Sequence, residues 1–97
     1  MLCRSDAERA SRHENMTARK LYERLLQHTQ NVRFADFCKV VEAFGYRHDR
    51  TSGSHAIYEH PQTPRPLNLQ NSHGQAKPYQ IRQFLREVEE FHLTLND

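Results

Sequence analysis

Ninety-seven residues with a formal net charge of +2, 36% hydrophobic and 27% charged, suffice for one domain that buries about 60–65% of the surface of its unfolded chain. That size allows a two-layer core but no large pocket, so any ligand is expected on a surface. The mean hydropathy of -0.95 owes much to Met1 to Asn15, where Arg4, Asp6, Glu8, Arg9, Arg12 and Glu14 surround little more than Leu2 and Cys3; this excludes a signal-peptide core or membrane span there.

The expectation is a cytoplasmic protein with a disordered or frayed leader over 1–15 and a single domain over 16–97. Thr17 to Gln30 reads as a short helix, capped by Thr17, whose narrow stripe of Leu21, Tyr22, Leu25 and Leu26 needs a neighbour. Asn31 and Val32 break the pattern. Phe34, Phe37, Cys38, Val41 and Phe44 then recur at helical spacing, marking a core helix that ends at Gly45. Glycine suits the left-handed residue after a helix, and Tyr46 beyond it can close on Val41 as in a Schellman ending.

Tyr46 to Arg50 is predicted as a strand, Thr51-Ser52-Gly53 as a turn and Ser54 to Glu59 as an antiparallel return. Alternation puts His55, Ile57 and Glu59 on one face and Ala56, Tyr58 and His60 on the other. Ala56 and Tyr58 are expected inward, which leaves His55 on the open face and also exposes Ile57. Pro61, Pro64 and Pro66 stiffen the next connection, Leu67 to Gln70 alternates as a third strand, and Asn71 to Ala76 reads as a polar loop. Pro78 fits the first position of a last helix, Gln80 can reach back as half a capping box, and Ile81, Phe84, Leu85, Val88, Phe91 and Leu95 carry the apolar stripe. Helix, helix, three strands, helix implies an α+β fold with helices covering one sheet face.

Several chemistries are disfavoured by spacing. Cys3 and Cys38 are the only cysteines, so neither a disulfide framework nor a thiolate metal site is supported, and Cys38 reads as a small hydrophobe. The histidines show no ligand-like interval, so no metal or other cofactor is expected. Neither a Gly-rich phosphate loop nor a Gly-x-Ser-x-Gly elbow occurs. Charge is polarised instead: from Tyr46 to Gln80, Arg47, Arg50, Arg65 and Lys77 oppose only Asp49 and Glu59. That balance suits an anionic ligand, though a solvated sheet face reads the same way.

His55 stands where turn becomes strand, its ring held by a packed sheet and able to exchange a proton near neutrality. A histidine among cations on an open sheet fits RNA, whose ribose 2′-hydroxyl is an internal nucleophile requiring only proton transfer and phosphate neutralisation. A non-catalytic RNA-binding module would need the same face, and the residues alone do not separate the two.

Arg33-Phe34-Ala35-Asp36-Phe37, Val41-Glu42-Ala43-Phe44-Gly45-Tyr46, the segment Gly53-Ser54-His55-Ala56-Ile57-Tyr58-Glu59-His60-Pro61, Leu67-Asn68-Leu69-Gln70 and the segment Gly74 to Leu85 together resemble the HicA (YcfA-like) toxins of bacterial type II toxin–antitoxin modules. The resemblance spans about Thr17 to Leu95. It implies a fold like a double-stranded-RNA-binding domain, α-β-β-β-α, here with an extra N-terminal helix and a three-stranded antiparallel sheet. It also implies ribonuclease activity on mRNA and a HicB-like antitoxin as inhibitor. The family's catalytic histidine maps onto His55. The accompanying expectations are Ser54 as a positioning residue, Arg47, Arg50 and Lys77 as phosphate contacts, and His73 as a lower-ranked second proton-transfer group. A protein-interaction or RNA-binding module that kept the fold is the alternative.

Overall fold

A computed structural model describes residues 17–96, so the expectations for the 1–15 leader and for Cys3 lie outside the described residues. Thr17 caps α1 (Ala18–Gln27), its hydroxyl accepting from the Lys20 amide at 3.2 Å. This helix stops three residues before the predicted end at Gln30. Val32 is buried and its carbonyl accepts from the Ala76 amide at 2.8 Å, while Arg33 bridges to Gln75; sheet pairing thus demands an extended chain where local propensity allowed helix.

α2 (Phe34–Ala43) has Arg33 at its N-cap with no side-chain cap. The Gly74 carbonyl takes that place, accepting from the Phe34 amide at 2.9 Å. At the other end Phe44 is the cap and Gly45 follows with φ +98. The Gly45 amide donates to Glu42 at 3.0 Å and the Tyr46 amide to Val41 at 3.4 Å, the paired bonds of a Schellman ending.

The sheet has four antiparallel strands in the order β1-β2-β3-β4, one more than expected. β1 (Arg47–Ser52) starts one residue later and ends two residues later than predicted, and all of its residues are exposed. Its turn to β2 (His55–Glu59) is Gly53-Ser54, because Ser52 pairs with His55; Gly53 has φ +60, the conformation a two-residue hairpin needs at that position. Between His48 and Arg50 the register shifts at a bulge. β3 (Leu67–Ser72) extends past Gln70, and the predicted loop 71–76 is a hairpin to β4 (Gln75–Ala76) through His73 and Gly74, both at positive φ. His-Gly lacks the Asn-Gly or Asp-Gly signature of such turns, which is why the hairpin does not announce itself.

Ala56 and Tyr58 face the helices and are buried, as the alternation predicts, and Leu67, Leu69 and Ala76, the last from the segment read as a polar loop, are buried beside them. They meet Phe37, Val40 and Val41 of α2, its cap Phe44, and Ile81, Phe84 and Val88 of α3 (Pro78–Glu90) in one core. Phe84 is its hub, with ring centroids 5.6 Å from Phe37, 5.5 Å from Phe44 and 5.9 Å from Tyr46. α1 adds Leu21 and Leu25 and an edge contact of Tyr22 with Phe44 at 4.9 Å. α3 ends before Phe91; His92 at φ +54 then turns the chain so that Leu93 is buried.

Two tyrosines stitch the layers. Tyr46 donates to Glu87 Oε1 at 2.8 Å and Tyr58 to Glu42 Oε2 at 2.9 Å. Burial, reinforced by the Glu87 hydrogen bond, pushes the Tyr46 hydroxyl well above its ordinary range; burial, with Cys38 and Glu42 as neighbours, does the same to Tyr58. Burial also raises the Cys38 thiol, against a hydrogen-bonding contact with Tyr58 that lowers it.

Candidate functional site

With helices on one face, the other face of the sheet is open, and register decides which side chains share it. Directly paired residues lie on the same face, so Ser52, His55 and Gln70 form one row, and Arg50, Ile57 and Asn68 form the next. His55 and Ile57 are half-buried and Asn68 is exposed. His55 Nδ1 lies 2.9 Å from Asn68 Oδ1, a diagonal contact across β2 and β3. Its backbone is held from both sides by central-strand pairing.

The predicted site residues separate by position. Ser54 is the second residue of the β1–β2 turn; its carbonyl accepts from the Asn71 amide at 2.8 Å, extending the ladder beside His55, while among the described residues its hydroxyl makes no hydrogen bond. Lys77 follows Ala76, whose partner is Asn71, so it leaves the sheet beside Gln70, roughly 10 Å or two strand spacings from His55. Arg50 is one row from His55 but forms an ion pair with Asp49 of the bulge. Arg47 pairs with Glu59, about 14 Å along the strand from His55 at the usual rise, and thus stands at the far end of the face. His73 is exposed at the β3–β4 turn, three residues beyond the one paired with His55. The structure therefore brings Ser54, Lys77 and Arg50 around His55, leaves His73 at the rim and sets Arg47 apart.

The other histidines near the sheet have different surroundings. His60 Nε2 donates to the Phe44 carbonyl at 3.0 Å, and its Nδ1 accepts from the Gln62 amide at 3.0 Å. Both nitrogens are thus engaged by backbone, and the ring packs edge-on against Tyr46 at 4.9 Å. His48 lies on the helix-facing side, 5.3 Å from the Tyr58 ring, with Nε2 2.8 Å from Thr51 Oγ1. Of the sheet-strand histidines only His55 belongs to the open face.

Asn68 and Gln80 were not singled out by the sequence as site residues. Alternation between Leu67 and Leu69 does place Asn68 outward, but nothing short of register pairs it with His55. Gln80 does not form the predicted capping box: its Oε1 accepts from the Gln70 amide and its Nε2 donates to the Asn68 carbonyl, each at 2.8 Å. Tyr79, 55% exposed, stands in the first turn of α3, two residues after Lys77. Among the described residues no three His, Cys, Asp or Glu side chains gather as a metal-ligand set, and no helix is long and apolar enough to cross a membrane.

These features define a double-stranded-RNA-binding-domain-like α+β protein, with one helix added in front and a hydrogen-bonded histidine on its uncovered sheet face. The family model described as HicA toxin of bacterial toxin-antitoxin matches residues 34–89, more than half of the chain, and the protein belongs to that family of toxins. The match begins at α2, so α1 is an addition in front of it. Comparisons with curated proteins and with solved structures give no significant match.

Proposed function

We propose that this toxin is a ribonuclease acting on mRNA, with His55 as the general base. The observation that carries the reading is the seating of His55: half-buried, fixed by the sheet, bonded through Nδ1 to Asn68 and open on the face that no helix covers. In the reaction, His55 Nε2 takes the proton of a ribose 2′-hydroxyl as that oxygen bonds to the adjacent phosphorus. The bond from phosphorus to the 5′-oxygen breaks, the leaving oxygen takes a proton from solvent, directly or through His73, and the imidazolium returns its own to solvent. The products are a 2′,3′-cyclic phosphate and a 5′-hydroxyl, with no net gain or loss of protons.

Lys77 and Arg50 flank the histidine on opposite sides and neutralise charge on the phosphate. Ser54 shapes the turn that presents the ring, and the exposed Tyr79 offers a face for a base to stack on. His73 at the rim is a candidate proton donor to the leaving oxygen, and Arg47 extends the cationic path along the strand. An open face needs little to be silenced: a HicB-like antitoxin with acidic residues, covering this row, would exclude RNA sterically. The fold with this face but without chemistry would be an RNA-binding or protein-interaction module.

His55→Ala separates the readings. Cleavage of RNA and growth arrest are expected to be lost while the thermal midpoint barely moves, because the residue is only half-buried. Undiminished cleavage by this variant would remove His55 from the mechanism; RNA binding without cleavage by the wild-type protein would favour the module.

A further inference from the structure

Gln80 is the buried polar side chain whose environment most resembles that of a piece of backbone. It is 6% exposed, and its amide bonds two main-chain groups of β3: the Gln70 N–H and the Asn68 C=O, each at 2.8 Å. These groups sit two residues apart on one edge of the strand, the pair that a neighbouring strand's peptide would bridge. β4 covers only Asn71 and Ser72, and Pro78 turns the chain away into α3. The Gln80 amide stands in for the missing peptide, supplying one acceptor and one donor at the right separation. Glutamate could accept but not donate, and leucine would leave both groups unpaired.

The residue so gripped is the one that reaches His55. Asn68 Oδ1 can only accept, so the bond at 2.9 Å requires the proton on His55 Nδ1 and leaves the Nε2 lone pair free. That is the tautomer a general base needs. The chain of contacts runs from α3, through the edge of β3, to the ring on β2.

We infer that Asn68 and Gln80 are positioning residues: Asn68 sets the tautomer and direction of the His55 imidazole, and Gln80 holds Asn68 in register. The consequence for rate rests on the ribonuclease reading above, whereas the consequence for the tautomer does not.

The test is long-range ¹H–¹⁵N correlation NMR of the histidine rings, on the full chain at a pH well above the ordinary imidazole range, alongside RNA-cleavage kinetics. Wild-type His55 is expected as the Nδ1–H form. Asn68→Ala shifts it towards Nε2–H and lowers kcat about 10- to 100-fold, by analogy with the loss of partners that orient metal-bound histidines, with KM little changed. Asn68→Asp, which still only accepts when ionised, restores the Nδ1–H form and most of the rate. Gln80→Leu moves the tautomer in the same direction as Asn68→Ala; if it does not fold, Gln80→Glu, which keeps one of the two bonds, is expected to show a smaller shift. An Nε2–H form in the wild-type protein, or an unchanged tautomer in Asn68→Ala, overturns the inference even if the enzyme cleaves RNA. Absence of cleavage with the tautomer behaving as stated removes the ribonuclease reading and leaves the positioning role standing.

Discussion

Replacing Gly45 by alanine puts a methyl group where the His60 ring lies. A Cβ built on this glycine would be 2.9 Å from His60 Nε2, closer than real Cβ contacts, and the backbone there has φ +98. Two costs follow. Holding a non-glycine residue at that φ costs roughly 1–3 kcal/mol. Displacing the ring also breaks its bonds to the Phe44 carbonyl and the Gln62 amide, at about 1 kcal/mol each. The sum, about 3–5 kcal/mol, is a large share of the 5–15 kcal/mol typical of a domain, and lowers the thermal midpoint by on the order of 15–30 °C for a chain of this length. The assay is urea denaturation of Gly45→Ala, His60→Ala and the double variant. In the His60→Ala background the ring is gone, so Gly45→Ala should cost only the backbone part, roughly 1–3 kcal/mol. Equal costs in both backgrounds, or a cost below about 1 kcal/mol in the wild-type background, would refute the argument.

Other outcomes follow from the same contacts. Tyr46 and Tyr58 hold their protons above the ordinary phenol range through burial and hydrogen bonding; above about pH 10 the folded state keeps protons the unfolded chain has lost, so stability is full below that pH and then falls by about 1.4 kcal/mol per pH unit for each tyrosine. Urea midpoints from pH 9 to 11 check this, a flat profile would contradict it, and Tyr46→Phe should remove one tyrosine's share of the slope. Lys77→Glu is expected to weaken RNA binding and to reduce the salt slope by about one unit, with the antitoxin's affinity falling too; a salt dependence identical to wild type removes Lys77 from the phosphate contacts. Since the proposed reaction draws on no metal, chelator should leave the cleavage rate unchanged, and activity that returns only with a divalent ion would require a different mechanism.

The layer assignment was legible because burial enforces period: Ala56 and Tyr58 alternate with His55 and Ile57, and one pair had to face the phenylalanines of α2. The Schellman ending at Gly45 was legible for a similar reason, since glycine is the residue that tolerates the left-handed φ observed there. What escaped was set by tertiary pairing. The end of α1 at Gln27 reflects the demand of β4 for partners at Val32 and Arg33, which no local pattern announces. Gln80 looked like a capping residue because its position in the first turn suits one; its bonds to β3 depend on where β4 stops. His55 was visible from its turn and strand, whereas the Asn68 contact depends on the β2–β3 register, which sequence alternation fixes only to within a shift of two residues.

The claim that His55 on the open sheet face cleaves RNA through the ribose 2′-hydroxyl is tested most directly by the ends of the products. Mass spectrometry of an RNA digested by the wild-type protein should show 2′,3′-cyclic phosphate and 5′-hydroxyl ends, with no cleavage of the same sequence bearing 2′-O-methyl groups and none of either substrate by His55→Ala. Cleavage of the 2′-O-methyl substrate, or products carrying 5′-phosphate ends, would contradict the account.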